Sequence, residues 1–214
     1  MARIQVEGEG KATAAPDEIE LFLTVGSVLP EYGQVIADLD RKVSGLKDEF
    51  VACGVVRTSI KTHDFSVKGE YVYDDGRTQR FTGYRAHHQM VLSFPLNRGL
   101  LNALLAVCPE SEATPDIDIR FKVRNSDELQ RQALEAAFAA AKNSAELLAR
   151  SSGCELGDLV EVLYGERRHP TTLSYCINQE WGHVDYCRLS YADEIEPKEI
   201  ENSEKVSVTW ELRI

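Results

Sequence analysis

Glu18-Ile19-Glu20-Leu21-Phe22-Leu23-Thr24-Val25-Gly26-Ser27-Val28 alternates through Ile19, Leu21, Leu23 and Val25, the period-two pattern of a half-buried strand. Directly after it, Tyr32, Val35, Ile36, Leu39, Val43, Leu46 and Phe50 recur at steps of three and four. That is one face of a helix of about five turns, with Gly54 placed to stop it. Asp38, Asp40, Arg41, Lys42, Lys47 and Asp48 fall on the other face, as a solvated surface requires. A half-buried strand followed by a one-sided helix predicts a helix lying on a sheet.

Upstream, Ile4 to Glu9 alternates as a first strand, and Pro16-Asp17 separates it from the second. Downstream, strand signals at Ile60–Val72 and Phe81–Phe94 flank Asp74-Asp75-Gly76-Arg77, the chemistry of a hairpin turn. Pro95 ends that pair. Asn97–Val107 reads as a short buried helix through Leu100, Leu101, Leu104 and Leu105. Ile117, Ile119, Phe121 and Val123 alternate in a further strand.

Asn125-Ser126-Asp127-Glu128 supplies capping side chains and acids for the first turn of a long helix. Its apolar set is Leu134, Phe138, Ala141, Ala145 and Leu148, it closes at Gly153, and its many alanines would admit a close neighbour. Leu159–Tyr164 and the alternating Val206, Val208, Trp210 and Leu212 complete the strands. The predicted class is α+β: mostly antiparallel sheets packed against long helices on one face, in two intertwined α/β subdomains. The middle segment near 84–124 is expected to form part of the second.

The 214 residues carry 24 Lys+Arg against 35 Asp+Glu, a net charge of −11. Residues 108–214 hold 21 of the acidic and 12 of the basic side chains, with a run at Asp193–Glu201 that reads as a solvated loop. So acidic a chain excludes nucleic-acid recognition, which needs a basic surface, and docking on anionic lipid. No segment is apolar enough to span a membrane.

Several landmarks together resemble the SIMPL-domain (DUF541) family. They are Val6-Glu7-Gly8-Glu9-Gly10, Pro16-Asp17, Gly83-Tyr84, the Ala-rich Ala136–Ala141, Gly153-Cys154-Glu155-Leu156-Gly157, and the closing Val206–Leu212. They span almost the whole chain as a single SIMPL-like unit. The resemblance implies an α+β fold, assembly into homo-oligomers, a role in stress tolerance or signalling, and no agreed catalytic residues. It implies action through self-assembly or a protein partner more than enzyme chemistry. Many bacterial members carry a signal peptide. None is visible in Met1–Glu7, so the chain as it stands is expected in the cytoplasm, and in the periplasm if a signal was removed. Extra Cys, Tyr and Trp residues between Gly165 and Ala192 depart from the family pattern.

Candidate chemistry is sparse, and no catalytic, cofactor-binding or metal residue is assigned. Gly8-Glu9-Gly10 lacks the third glycine and following helix of a dinucleotide loop, and reads as a bulge or a close-packing site. Cys53, Cys108, Cys154, Cys176 and Cys187 are odd in number and irregular in spacing, so they read as free thiols. Cys176, His183 and Cys187 form the one cluster of metal-like ligands, the basis of an alternative thiol- or metal-dependent redox reading. His87 and His88, adjacent on a strand, must point to opposite faces. No Ser or Cys has a base that spacing alone places beside it. The aromatics Tyr164, Tyr175, Trp181, Tyr186 and Tyr191 suggest a contact surface.

Overall fold

The computed structural model describes residues 2–74, 78–165, 173–177 and 195–213. In order these form β1 (Ala2–Ala14), β2 (Glu18–Leu29), α1 (Tyr32–Ala52), β3 (Lys61–Asp74), β4 (Thr78–Pro95) and α2 (Arg98–Val107). They continue as β5 (Asp116–Lys122), α3 (Ser126–Ser151), β6 (Glu155–Leu163), β7 (Leu173–Ile177) and β8 (Ile200–Arg213). One sheet runs β1-β8-β6 and the other β3-β4-β2-β5-β7. The ladders β1–β8, β6–β8, β2–β4 and β3–β4 are all antiparallel, so the α+β architecture stands. The turn at Asp75–Arg77 lies outside the described residues.

The elements fall into two compact units: β1, α3, β6 and β8 in one, and β2 to β5 with α1, α2 and β7 in the other. In the larger unit the odd residues of β2 (Ile19, Leu21, Leu23, Val25) meet Met90, Leu92 and Phe94 of β4, beneath Val35, Leu39, Val43, Leu46 and Phe50 of α1. Leu101 and Leu104 of α2 close the same core. Gly54 ends α1 at φ +94°, a conformation open to glycine at little cost. Its N–H bonds Val51 O at 2.9 Å while Val55 N–H bonds Phe50 O at 3.1 Å, the paired bonds that satisfy the helix's last carbonyls.

In the smaller unit α3 lies on the β1–β8 layer. Asn125 caps it by accepting from Glu128 N–H at 3.2 Å. The fully buried line of the helix is Leu129, Ala133, Ala137, Ala141, Ala145 and Ala149. Of the apolar set expected from spacing, Ala141 and Ala145 stand on this line and the other three are corrected. Leu148 is 51% exposed, and Leu134 and Phe138 are only partly buried, flanking the line. The reason is Gly8 and Gly10, which face the alanines with no side chain between. A Cβ on Gly8 would stand 2.1 Å from Ala137 O, and one on Gly10 2.1 Å from Ala137 N. The β1–β8 register runs unbroken from Ala2 to Ala14, so these glycines serve close packing and not a bulge.

Asp38 on α1 ties the helix to the sheet, accepting from Ser27 Oγ at 2.7 Å and pairing with Lys42 at 2.9 Å and Arg41 at 2.6 Å. The hydrogen bond from Lys42, followed by that from Ser27, holds its carboxyl well below the usual carboxylate range. A pKa lowered in the folded state adds stability above the unfolded value, about 3.9, and loses it as pH falls below that. The urea midpoint of the wild type should therefore drop steeply below about pH 4. Asp38→Asn should start lower at neutral pH and show a flatter acid limb. An unchanged acid limb in the variant would refute the assignment.

Candidate functional site

Two surfaces stand out. The first is in the smaller unit, where, among the described residues, β6 is one edge of the sheet and β1 the other. The outward side of β1 is polar and tied to β8 through Lys11–Glu201 at 2.8 Å, Glu9–Lys205 at 3.3 Å and Gln5–Ser207 at 2.9 Å. Charged side chains of this kind guard an edge against further strands. β6 differs, because Leu159 (51% exposed), Val160, Val162, Leu163 (52%) and the following Tyr164 are all exposed. Between α3 and β6 lies an open groove of about 590 Å³, walled by Leu134, Phe138, Val162, Tyr164 and Val206 with Lys142 among its lining residues. Tyr164 anchors one wall: its hydroxyl donates to Glu204 Oε2 at 3.2 Å and accepts from Gln130 Nε2 at 3.0 Å.

The second surface is the face of the five-stranded sheet turned away from α1. Even residues of β2 and odd residues of β4 lie there, with Gly26 opposite His87 and Thr24 opposite Gln89. On the other side of β4, Ser66 pairs with His87 and Asp64 with Gln89. His87 Nδ1 lies 3.0 Å from Ser66 Oγ and its Nε2 2.9 Å from Asp64 Oδ2. The bond from His87, with one from the Phe65 N–H, pulls the Asp64 pKa down, so the group is a carboxylate and only accepts. A proton on His87 Nε2, facing that acceptor, leaves Nδ1 to accept from the Ser66 hydroxyl.

Nearby, the Arg120 guanidinium sits 4.2 Å over the Phe22 ring, and His63 meets that ring edge-on. The neighbouring Glu70 and Arg85 form an ion pair across β3 and β4.

His88 points the other way, as expected of adjacent strand residues. It bonds Thr62 Oγ1 at 2.8 Å and lies edge-on to Phe65. Burial, reinforced by Lys47, lowers its pKa. Among the thiols, Cys108 is buried and donates to Leu104 O, and desolvation pushes it up to about 12, which makes it inert. Cys53, Cys108 and Cys154 are free. The side chains of Cys176, His183 and Cys187 lie outside the described residues, as do those of Tyr175, Trp181, Tyr186 and Tyr191. Among the described residues no group of three or more His, Cys, Asp or Glu side chains could hold a metal. Among them, too, no helix is long and apolar enough to cross a membrane.

A family model described as "Protein of unknown function (DUF541)", SIMPL, matches residues 4–210. The chain belongs to the SIMPL family. No curated protein matches it. In this SIMPL chain the glycines of the Val6–Gly10 motif are the seats of the α3 alanines, so that motif is a packing device. The Ala136–Ala141 segment is its complement on the helix. Neither motif contributes a side chain to the groove wall opposite α3, nor to the Ser66–His87–Asp64 chain of bonds.

Proposed function

We propose that this SIMPL protein acts by self-assembly, with a second copy docking on the β6 edge and the adjoining groove. The observation that carries the reading is the exposed apolar run at Leu159, Val160, Val162, Leu163 and Tyr164 on a strand at the sheet's edge. An edge strand presents unpaired N–H and C=O groups, and an apolar one left open is a template for another strand. A second copy is the occupant because this edge can satisfy itself: in a two-fold pair each copy offers the other the same row of donors, acceptors and apolar side chains. The family's tendency to assemble, implied by the resemblance, supports the same occupant. A role in stress tolerance or signalling would be exercised through the assembly.

Sedimentation of the full chain across a range of concentrations should show an oligomer. Val162→Lys places an ammonium in the groove wall, and desolvating it costs about 2–3 kcal/mol, so the dissociation constant should rise by a factor of about 30 to 150. Arg3→Glu on the β1 edge should leave association unchanged. A strict monomer at high concentration would overturn the reading, as would equal association of the wild type and Val162→Lys.

A further inference from the structure

We infer that Ser66, His87 and Asp64 form an acyl-transfer site that takes small activated esters. Three observations meet here. A hydroxyl nucleophile, a base and a carboxylate that fixes the base's tautomer are joined in sequence, at 3.0 Å and 2.9 Å. A nucleophile bonded to a base that a third group orients is the signature of covalent catalysis, whatever the fold or chain order. The relay lies on an open sheet face, with the Asp64 side chain 58% and the His87 side chain 36% exposed, so a small reagent can reach it. Finally, β2 offers His87 no side chain. Gly26 is its cross-strand neighbour, and a Cβ there would meet nothing nearer than Ala86 O at 3.9 Å. The space over Gly26, bounded along β2 by Thr24 and the exposed Val28, suits a short acyl group.

The chemistry balances with water as the second reactant. Ser66 Oγ attacks the ester carbonyl carbon as its proton passes to His87 Nδ1, and Asp64 holds the resulting imidazolium through Nε2. The tetrahedral intermediate collapses by breaking the bond to the leaving oxygen, which takes the proton from His87. Water then attacks the acyl-Ser66 carbonyl, again giving a proton to His87 Nδ1. Collapse returns that proton to Ser66 Oγ and releases the carboxylic acid. A positioned base of this kind contributes about 10²–10⁴-fold, enough for esters whose leaving group is already good, such as aryl esters.

The test is 4-nitrophenyl acetate with the full-length protein, following nitrophenolate release and locating the adduct by peptide mass spectrometry. An acetyl group on Ser66 is expected. Ser66→Ala and His87→Gln should lower the release rate by about a hundredfold or more, without moving the thermal midpoint. Ser66→Cys keeps a nucleophile and should still be acylated at position 66. Asp64→Asn no longer fixes the tautomer, and should slow acylation at least about tenfold with the adduct still at Ser66. Release unchanged in Ser66→Ala, or acetyl found only on lysines, would overturn the inference.

Discussion

Gly10→Ala is expected to destabilise the smaller unit by about 3 kcal/mol or more. Adding methylene volume to a packed core costs about 1–3 kcal/mol when side chains can turn aside. Here none can. The new Cβ would stand 2.1 Å from Ala137 N and 2.2 Å from Ala133 O, both backbone atoms of α3. The helix must therefore lift from β1, and lifting it strips contact from Ala133, Ala137, Ala141 and Ala145 together. The conformational gain of alanine over glycine in a strand, about 0.5–1 kcal/mol, offsets only a fraction. Gly45→Ala is the contrast. Gly45 lies within α1, where a Cβ meets nothing within 4 Å, so the same change should stabilise by about 0.5–1 kcal/mol. Urea unfolding of both variants checks the pair. A Gly10→Ala midpoint equal to wild type would refute the direct seating of α3 on Gly10.

The glycines illustrate what a single sequence conveys. Period and capping residues speak for themselves, which is why α1, its stop at Gly54 and the Asn125 cap of α3 are readable directly. Spacing alone does not say which of two adjacent helix stripes faces the sheet. On α3 the spacing picks out Leu134, Phe138, Ala141, Ala145 and Leu148, of which only the two alanines fall on the buried line. The stripe that packs is the one small enough to meet two glycines more than a hundred residues away in sequence. Small-to-small complementarity between distant segments has no local signature. Only the alanine count hints at it.

The pairing of Ser66 with His87 was hidden for a different reason. From the hairpin end, Tyr71 pairs with Phe81; continuing that register would put Ser66 opposite Ala86, on the buried face. A register shift between Tyr71 and Glu70 moves Glu70 opposite Gly83, and Ser66 therefore opposite His87. Thr82, the extra residue, donates its hydroxyl to Glu70 O at 3.1 Å and so steadies the irregularity. A second shift between Asp64 and Thr62 restores the first register, with His63 as the extra residue. A one-residue slip moves every side chain to the other face, so the relay exists because of the first bulge and is bounded by the second. Alternation in the sequence cannot reveal either.

Phe50→Ala is expected to cost the larger unit about 3–5 kcal/mol, by the opposite mechanism to Gly10→Ala. Phe50 is 0% exposed and is among the largest fully buried side chains, packed in the core that β2 and β4 share with α1. Removing the ring loses its transfer free energy and leaves a cavity that a hydrogen-bonded sheet on one side and a helix on the other cannot close. The position carries a second role. Phe50 O accepts from Val55 N–H at 3.1 Å, and Val55, only 7% exposed, belongs to the same core. Apolar contact between these two positions accompanies this kind of helix stop, so truncating the ring also loosens the turn around Gly54. Phe50→Leu, which keeps most of the volume, should cost less than about 1.5 kcal/mol. Denaturant midpoints give the magnitudes, and amide exchange should show protection falling first at the C-terminal turn of α1. Equal losses from Phe50→Ala and Phe50→Leu would mean that shape, and not filled volume, governs this core.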